Sequence, residues 1–200
     1  MMNTDSFERN YWNQRYREAA TGWDIGRPST PLVAYINQLK DKTLKILIPG
    51  AGNAYEAEYL FNNGFKNVFV LDIAKLPLEN LQCRVPHFPS NQLIHENLFS
   101  HKNTYDLILE QTFFCALEPT QINRDTYAKH MHSLLNAHGK LAGLWFNIPL
   151  NKASERPFGG TREMYLNHLT PYFEVQCFEH CYNSIPARKE NELFGIFTKK

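Results

Sequence analysis

Residues 45–72, KILIPGAGNAYEAEYLFNNGFKNVFVLD, read as a strand, a tight glycine turn, a helix and a second strand that ends in a carboxylate. Ile46, Leu47 and Ile48 form a short apolar run suited to a strand buried on both faces, and Pro49 and Gly50 break the sheet pattern. Tyr55 to Phe61 carry an apolar face at helical spacing, and Asn63 with Gly64 stops that helix before Val68 to Leu71 form the next strand. Asp72 lies 20 residues beyond Gly52, where a Rossmann-type βαβ unit places the acid that accepts hydrogen bonds from an adenosine ribose.

The fingerprint is incomplete, because Tyr55 stands where GxGxxG would have its third glycine. That glycine allows close helix packing where a dinucleotide pyrophosphate lies on the helix N-terminus, so its replacement argues against NAD or FAD. It leaves an adenosine cofactor without phosphates, and S-adenosylmethionine is the common one. Such a cofactor still needs close backbone approach at Gly50 and Gly52 and a ribose acid at Asp72. Taken alone, the segment also admits an ordinary strand–turn–helix whose acid is merely solvated.

Two hundred residues, 43% of them hydrophobic and 14% aromatic, suit one globular domain spanning 1–200 with a sizeable core. The formal net charge of +1 offers no field that would draw the chain to nucleic acid or an anionic membrane, so a small-molecule partner is expected. No apolar run approaches a membrane span, and MMNTDSFERN lacks the apolar core of a signal peptide. A cytoplasmic protein, monomeric and metal-free, is the expectation. Cys83, Cys115, Cys177 and Cys181 make no paired CxxC knuckles; Cys177, His180 and Cys181 fall in a strand-like stretch, and His130 and His132 face different ways on a helix.

Outward from the glycine turn, residues 5–20 are helical by content, with Phe7, Tyr11, Trp12, Tyr16 and Ala19 on one face. The loop TGWDIGRPSTP follows, and Pro31 opens a short helix capped by Ser29 or Thr30. Beyond the second strand come a helix in KLPLENLQ, a short strand at Leu93–His95, a strand YDLIL ending in Glu110 and Gln111, and a helix over 121–135. Asn136 to Gly139 read as a stop before the strand KLAGLWF. This alternation implies a mainly parallel α/β sheet with helices on both faces. YFEVQCFEHCY and ELFGIFTKK, joined only by a loop, read as an antiparallel hairpin at the sheet edge. A parallel sheet closed by such a hairpin is the arrangement of class I methyltransferases.

Several segments resemble the thiopurine S-methyltransferase-like family and, within it, the halide/thiol methyltransferases: YWNQRY, GWDIGRPSTPLV, LIPGAG, VLDIA, ENLF, YDLILEQTFFCALEP, RPFGG with Tyr165 downstream, and SIPARKENELFG. The resemblance covers most of the chain, and WDIGRP and TFFCALEP are its most distinctive parts. It implies cofactor contacts at Trp12, Tyr16, Trp23, Gly50, Asp72, Asn97, Leu98 and Gln111; Gly52, Ile73 and Glu110 are expected beside them, with an acceptor pocket at Trp23, Arg27, Phe113, Phe114 and Phe158. Asn97 with the Leu98 amide would read the adenine edge, and Trp12, Tyr16 and Trp23 would form an aromatic lid whose ring faces suit a sulfonium cation.

The chain departs from the family pattern at Tyr16 (usually Trp), Asn97 (Asp), Glu110 (Asp) and Gln111 (Tyr), which bears on acceptor identity more than on cofactor. Ile48 also lacks the acid that many methyltransferases carry two residues before the first glycine, so the methionine amine needs another partner, for which Glu110 is the expectation. Without the resemblance, Trp12 and Tyr16 read as core packing, and Arg27 and Arg188 read equally as loop-fixing or anion-binding groups. The implied activity is S-adenosylmethionine-dependent methylation of a small soft nucleophile such as a thiol, thiopurine or halide, with no catalytic base named. A cofactor-binding scaffold without turnover is the alternative. A nucleic-acid methyltransferase is disfavoured because EQTF replaces a base-holding motif such as NPPY.

Overall fold

In a computed structural model of the chain, residues 4–150 and 156–200 are described, so the first three residues of the N-terminal stretch lie outside the description. The elements run α1 (Thr4–Arg17), α2 (Thr30–Ile36), β1 (Ile46–Pro49), α3 (Tyr55–Asn62), β2 (Val68–Asp72), α4 (Leu76–Arg84) and β3 (Leu93–His95). They continue as β4 (Tyr105–Gln111), α5 (Gln121–Ser133), β5 (Leu135–Phe146), α6 (Arg162–Leu169), β6 (Phe173–His180) and β7 (Glu192–Lys199).

The strands form one sheet in the order β3-β2-β1-β4-β5-β7-β6. Pairings among β1 to β5 are parallel, and β7 pairs antiparallel with both β5 and β6. The hairpin expected at the edge is present, with β7 inside and β6 outermost. Composition explains that choice: β7 carries Leu193, Phe194, Ile196 and Phe197 for burial on both faces, whereas β6 exposes Glu174, Gln176, Glu179 and His180. Chain order reverses between β1 and β4, which opens a crevice outside their carboxyl ends, at Pro49–Gly50 and Gln111.

Alternation along the strands divides the core in two. Ile46, Ile48, Val68, Val70, Leu107 and Leu109 pack with Ala57, Leu60, Leu78 and Leu81 of α3 and α4. Leu47, Leu71, Ile108 and Leu141 pack instead with Tyr127 and Met131 of α5 and Tyr165 of α6. The chain's 3.6 and 2.0 periodicities are thus both satisfied.

Two boundaries differ from the sequence reading. Asn136 to Gly139 do not precede the fifth strand but bulge within it: Tyr105 pairs with Leu135 and Leu107 with Lys140, and His138 turns left-handed at φ 61°. Asn136 Nδ2 donates to Asp106 Oδ1 at 2.7 Å, which holds the bulge to β4. The helix α6 was not anticipated; the Thr161 hydroxyl caps it, accepting from Met164 N at 3.4 Å. Four of its eight residues are polar (Arg162, Glu163, Asn167 and His168), so it presents little apolar periodicity beyond Met164, Tyr165, Leu166 and Leu169.

The same alternation removes Glu110 from the crevice. Its neighbours Leu109 and Gln111 face the α2–α3 side, so Glu110 points to the other face, fully buried against Phe114 and Tyr127. Its Oε1 accepts from Phe114 N at 2.8 Å, while Oε2 has no partner. The residue expected to hold a cofactor amine is therefore a core acid. Burial pushes its carboxyl up to about 8 against the pull of the Phe114 and Phe113 amides. Between the ordinary carboxylate range and pH 8, the folded chain then keeps a proton that the unfolded chain has released, so stability falls as pH rises through that window. Glu110→Gln keeps the acceptor for Phe114 N and removes the titration. Urea unfolding from pH 5 to 8 should show the wild type losing up to about 1.4 kcal/mol per pH unit relative to the variant. Parallel profiles would contradict this.

Candidate functional site

The turn after β1 is built on positive-φ residues: Gly50 at 54°, Gly52 at 55° and Ala54 at 54°. The two glycines are needed for space as well as for conformation. A Cβ on Gly50 would lie 2.1 Å from Phe113 Cδ2, and one on Gly52 would lie 2.9 Å from the Tyr16 hydroxyl and 3.9 Å from Trp23 Nε1. Tyr55, in the third-glycine position, opens α3 rather than clearing its N-terminus.

Asp72 at the end of β2 closes this turn. Its Oδ2 accepts from Gly52 N at 3.0 Å and its Oδ1 from Ala74 N at 2.8 Å. It is 6% exposed, and burial raises its carboxyl to about 6 although the Ala74, Gly52 and Ile73 amides favour the charge. Because β2 and β3 pair with Asp72 opposite His95, Asn97 lies two residues beyond the neighbouring strand end. Asn97 Oδ1 accepts from Phe99 N at 2.9 Å, and the buried Leu98 offers its carbonyl to His130 Nε2 at 2.7 Å. The Ile73 carbonyl lies within 3.2 Å of Arg9 Nη1 and 3.1 Å of His95 Nε2, which ties α1 to the end of β2.

Trp12, Tyr16 and Trp23 meet above Gly52. The Trp23 ring stands edge-on to Trp12 at 5.3 Å and to Tyr16 at 5.8 Å. Burial and then the Asp72 charge hold the Tyr16 phenol un-ionised. Arg188 fixes the Trp23 loop: Nη2 donates to Trp23 O at 2.7 Å while Nη1 pairs with Glu192 Oε1 at 3.2 Å. Of the two readings left open for Arg188, the loop-fixing one describes its bonds, although its side chain also lines the crevice. Arg27 lines the crevice too and is exposed.

Two contributors escaped the sequence reading. Arg156 Nη2 pairs with Glu8 Oε1 at 2.7 Å, Nε donates to Ala116 O at 2.7 Å, and the guanidinium lies over Tyr11 and Trp12. It joins the aromatic face of α1 to the segment after β4. The other is Glu56, 5% exposed yet lining the crevice beside Gly50, Gly52 and Gln111. In sequence it looks like an ordinary first-turn helix acid, and no pattern marks it as buried.

The expected acceptor pocket is only partly assembled. Trp23 and Arg27 line the crevice, and Phe113 packs on Gly50. Phe114, by contrast, is fully buried, edge-on to Tyr127 at 4.8 Å and to Tyr165 at 5.2 Å, because the 3-10 turn Phe114–Ala116 swings it into the core. Phe158 is also buried, with its amide on Cys115 O at 2.8 Å. Thr112, which lines the crevice between Gln111 and Phe113, takes φ 57°, a strained conformation for a β-branched residue that costs about 1–3 kcal/mol. No cluster of three or more metal-ligating side chains occurs among the described residues.

The sequence pattern of the family described as Thiopurine S-methyltransferase matches residues 7–199. A probable thiol methyltransferase 2 of Arabidopsis thaliana is 30% identical over 195 residues, 94% of this chain and 84% of that protein. Thiocyanate methyltransferase 1 of the same plant is 28% identical over 199 residues, 96% of this chain and 86% of the relative. Two solved structures share the fold. They are the Burkholderia thailandensis 1,6-didemethyltoxoflavin-N1-methyltransferase with bound S-adenosylhomocysteine (TM-score 0.74, 14% identity, 98% and 88% of the two chains) and the magnesium protoporphyrin IX methyltransferase of Synechocystis PCC 6803 with bound SAM (TM-score 0.73, 15% identity, 100% and 99%). With the glycine turn, its buried acid and the antiparallel C-terminal strands of a class I methyltransferase sheet, the chain belongs to the thiopurine S-methyltransferase family, whose members are S-adenosylmethionine-dependent methyltransferases.

Proposed function

We propose that the chain methylates a small thiol or related soft sulfur nucleophile at the crevice between β1 and β4. The site rests on the convergence on Gly52, with a buried carboxylate beneath it and aromatic rings above it, and the acceptor class on the kinship with a probable thiol methyltransferase and a thiocyanate methyltransferase. Asp72 is held by backbone amides, and each oxygen keeps a further lone pair with which to accept from ribose hydroxyls. Gly50 and Gly52 admit the cofactor backbone closely, Ile73 borders the ribose, and Asn97 with the Leu98 amide meets the adenine edge. Trp12, Tyr16 and Trp23 cover the sulfonium end.

S-adenosylmethionine, when bound, supplies a methyl group on a sulfonium sulfur. The chain's own part is to position and to exclude water. Trp23 and Phe113 wall the reacting region, Arg27 at its mouth attracts anionic acceptors, and Gln111 borders the acceptor. Alignment alone can contribute several kcal/mol, about 7 to 11 in the best intramolecular cases. A dedicated base is unnecessary, because a free thiol near pKa ~8.5 already supplies a few per cent of thiolate at neutrality. The chain acts as a single domain over 1–200, a cytoplasmic monomer; no helix among the described residues is long and apolar enough to cross a membrane.

Asp72→Asn keeps the size of the side chain and removes its charge, and because both carboxylate oxygens accept from amides it also sets Nδ2 against Gly52 N or Ala74 N. Calorimetry should find S-adenosylhomocysteine bound about ten- to hundredfold more weakly by the variant, the worth of hydrogen bonds to a charged group. In the wild type, affinity should be flat above pH 7 and fall about tenfold per pH unit once the carboxyl, raised to about 6, takes its proton; the variant should lack that dependence. Equal affinity in a folded variant removes Asp72 from the site.

The acceptor class is tested separately, by following S-adenosylhomocysteine release with small thiols, thiopurines, thiocyanate and iodide. Turnover should occur with the sulfur nucleophiles, rising toward pH ~8.5 for the small thiols as thiolate accumulates but not for thiocyanate, which is already an anion. Cofactor binding without turnover of any acceptor would favour the scaffold alternative.

A further inference from the structure

With Glu110 outside the crevice, two acids line it, Asp24 and Glu56. Asp24 is half-buried and already accepts from Gly26 N and Asn53 Nδ2, whereas Glu56 is the buried one. Glu56 lies at the second position of α3, immediately after the glycine turn, and its side chain lines the crevice with Gly50, Gly52 and Gln111. It is 5% exposed. Its polar contacts are all with neutral donors. Oε1 accepts from Ser29 N at 2.8 Å. An ionised carboxylate can only accept, so the Gln111 amide is assigned with its nitrogen toward Glu56, an orientation in which it donates to Oε1 at 2.9 Å and Oε2 at 3.2 Å.

Among the described residues no Lys, Arg or His nitrogen lies within ion-pair distance of Glu56. Arg188 acts on it only through its field, and the Arg188 guanidinium is already engaged by Glu192 and the Trp23 carbonyl. Burial without a direct counter-ion pushes the Glu56 carboxyl above its ordinary range, and an arriving cation would favour its charged form. A solvated first-turn acid would not be buried, and an acid needed only to pin the Ser29 amide would not also line the crevice.

We propose that Glu56, oriented by Gln111 and Ser29, receives the α-ammonium of the methionine part of S-adenosylmethionine. The inference rests on the crevice being the cofactor site. It assigns the role that the apolar Ile48 and the inward-turned Glu110 leave unfilled. It also gives Gln111 a function at the cofactor, as the donor that fixes the carboxylate's orientation.

The test uses two ligands and one substitution. S-adenosylhomocysteine carries the ammonium, and its deamino analogue lacks only that group. Glu56→Gln keeps an acceptor for Ser29 N and removes the charge. By calorimetry, wild type should bind S-adenosylhomocysteine about ten- to hundredfold more tightly than the deamino analogue, and in Glu56→Gln that ratio should collapse to about two or less, with deamino-analogue affinity unchanged. If Glu56→Gln does not fold, Glu56→Asp, which shortens the reach of the charge, should likewise shrink the ratio. An undiminished ratio, or equal weakening of both ligands, overturns the assignment and leaves Glu56 as a pin for the Ser29 loop. Wild type that binds neither ligand would instead overturn the cofactor site itself.

Discussion

The hydrogen bond from Gly52 N to Asp72 Oδ2 is the constraint around which the crevice is arranged. It joins the turn that leaves β1 to the end of β2, two points 20 residues apart, and so fixes where α3 begins. A left-handed turn has no regular backbone partner for its amides, and a buried amide without one would cost about 1–3 kcal/mol. Asp72 supplies the partner, and its second oxygen does the same for Ala74 N at the start of the next loop. The cost falls on the acid, whose ionisation is made harder by burial and is only partly restored by these amides. A carboxylate in that state gains from any further donor.

Above that turn, the aromatic cluster of Trp12, Tyr16 and Trp23 is held by arginines that each bond to more than one segment. Arg156 bonds to Glu8 and to Ala116 O, which ties α1 to the segment after β4. Arg188 bonds to Trp23 O and to Glu192, which ties the Trp23 loop to the start of β7. Both guanidiniums are largely buried and hydrogen-bonded, the setting in which removing one partner is most damaging. The aromatic rings supply area and ring faces, but their edge-on contacts alone would not fix where the loop sits; the guanidinium bonds to backbone carbonyls do.

How much of this was legible follows from where the information lies. The strand–turn–helix–strand of residues 45–72, the parallel alternation and the terminal hairpin are written in local periodicity, and each appears where expected. The bulge at Asn136–Gly139 was read as a stop because a four-residue polar turn looks the same whether it precedes a strand or interrupts one; the Asn136–Asp106 contact that decides between them is non-local. The helix α6 is short and polar, and its Tyr165 is buried by contacts with β6 and with Phe114 that no local pattern encodes.

Glu110 and Glu56 show the limit most sharply, because strand alternation was available in the sequence and was sufficient to separate Glu110 from Gln111. Leu107 and Leu109 share one face, so Gln111 continues that face and Glu110 belongs with Ile108 on the other. What alternation cannot say is which face carries the crevice, since that depends on α2 and α3 packing on the Leu107 side. Once that side is known, the acid that α3 directs inward becomes the one with access to a ligand. A helix acid in the first turn is ordinarily solvated and worth a few tenths of a kcal/mol to the helix dipole. Here the Ser29 loop folds over it and removes the water, and a residue that reads as decoration becomes the only buried carboxylate, among the described residues, that lines the crevice.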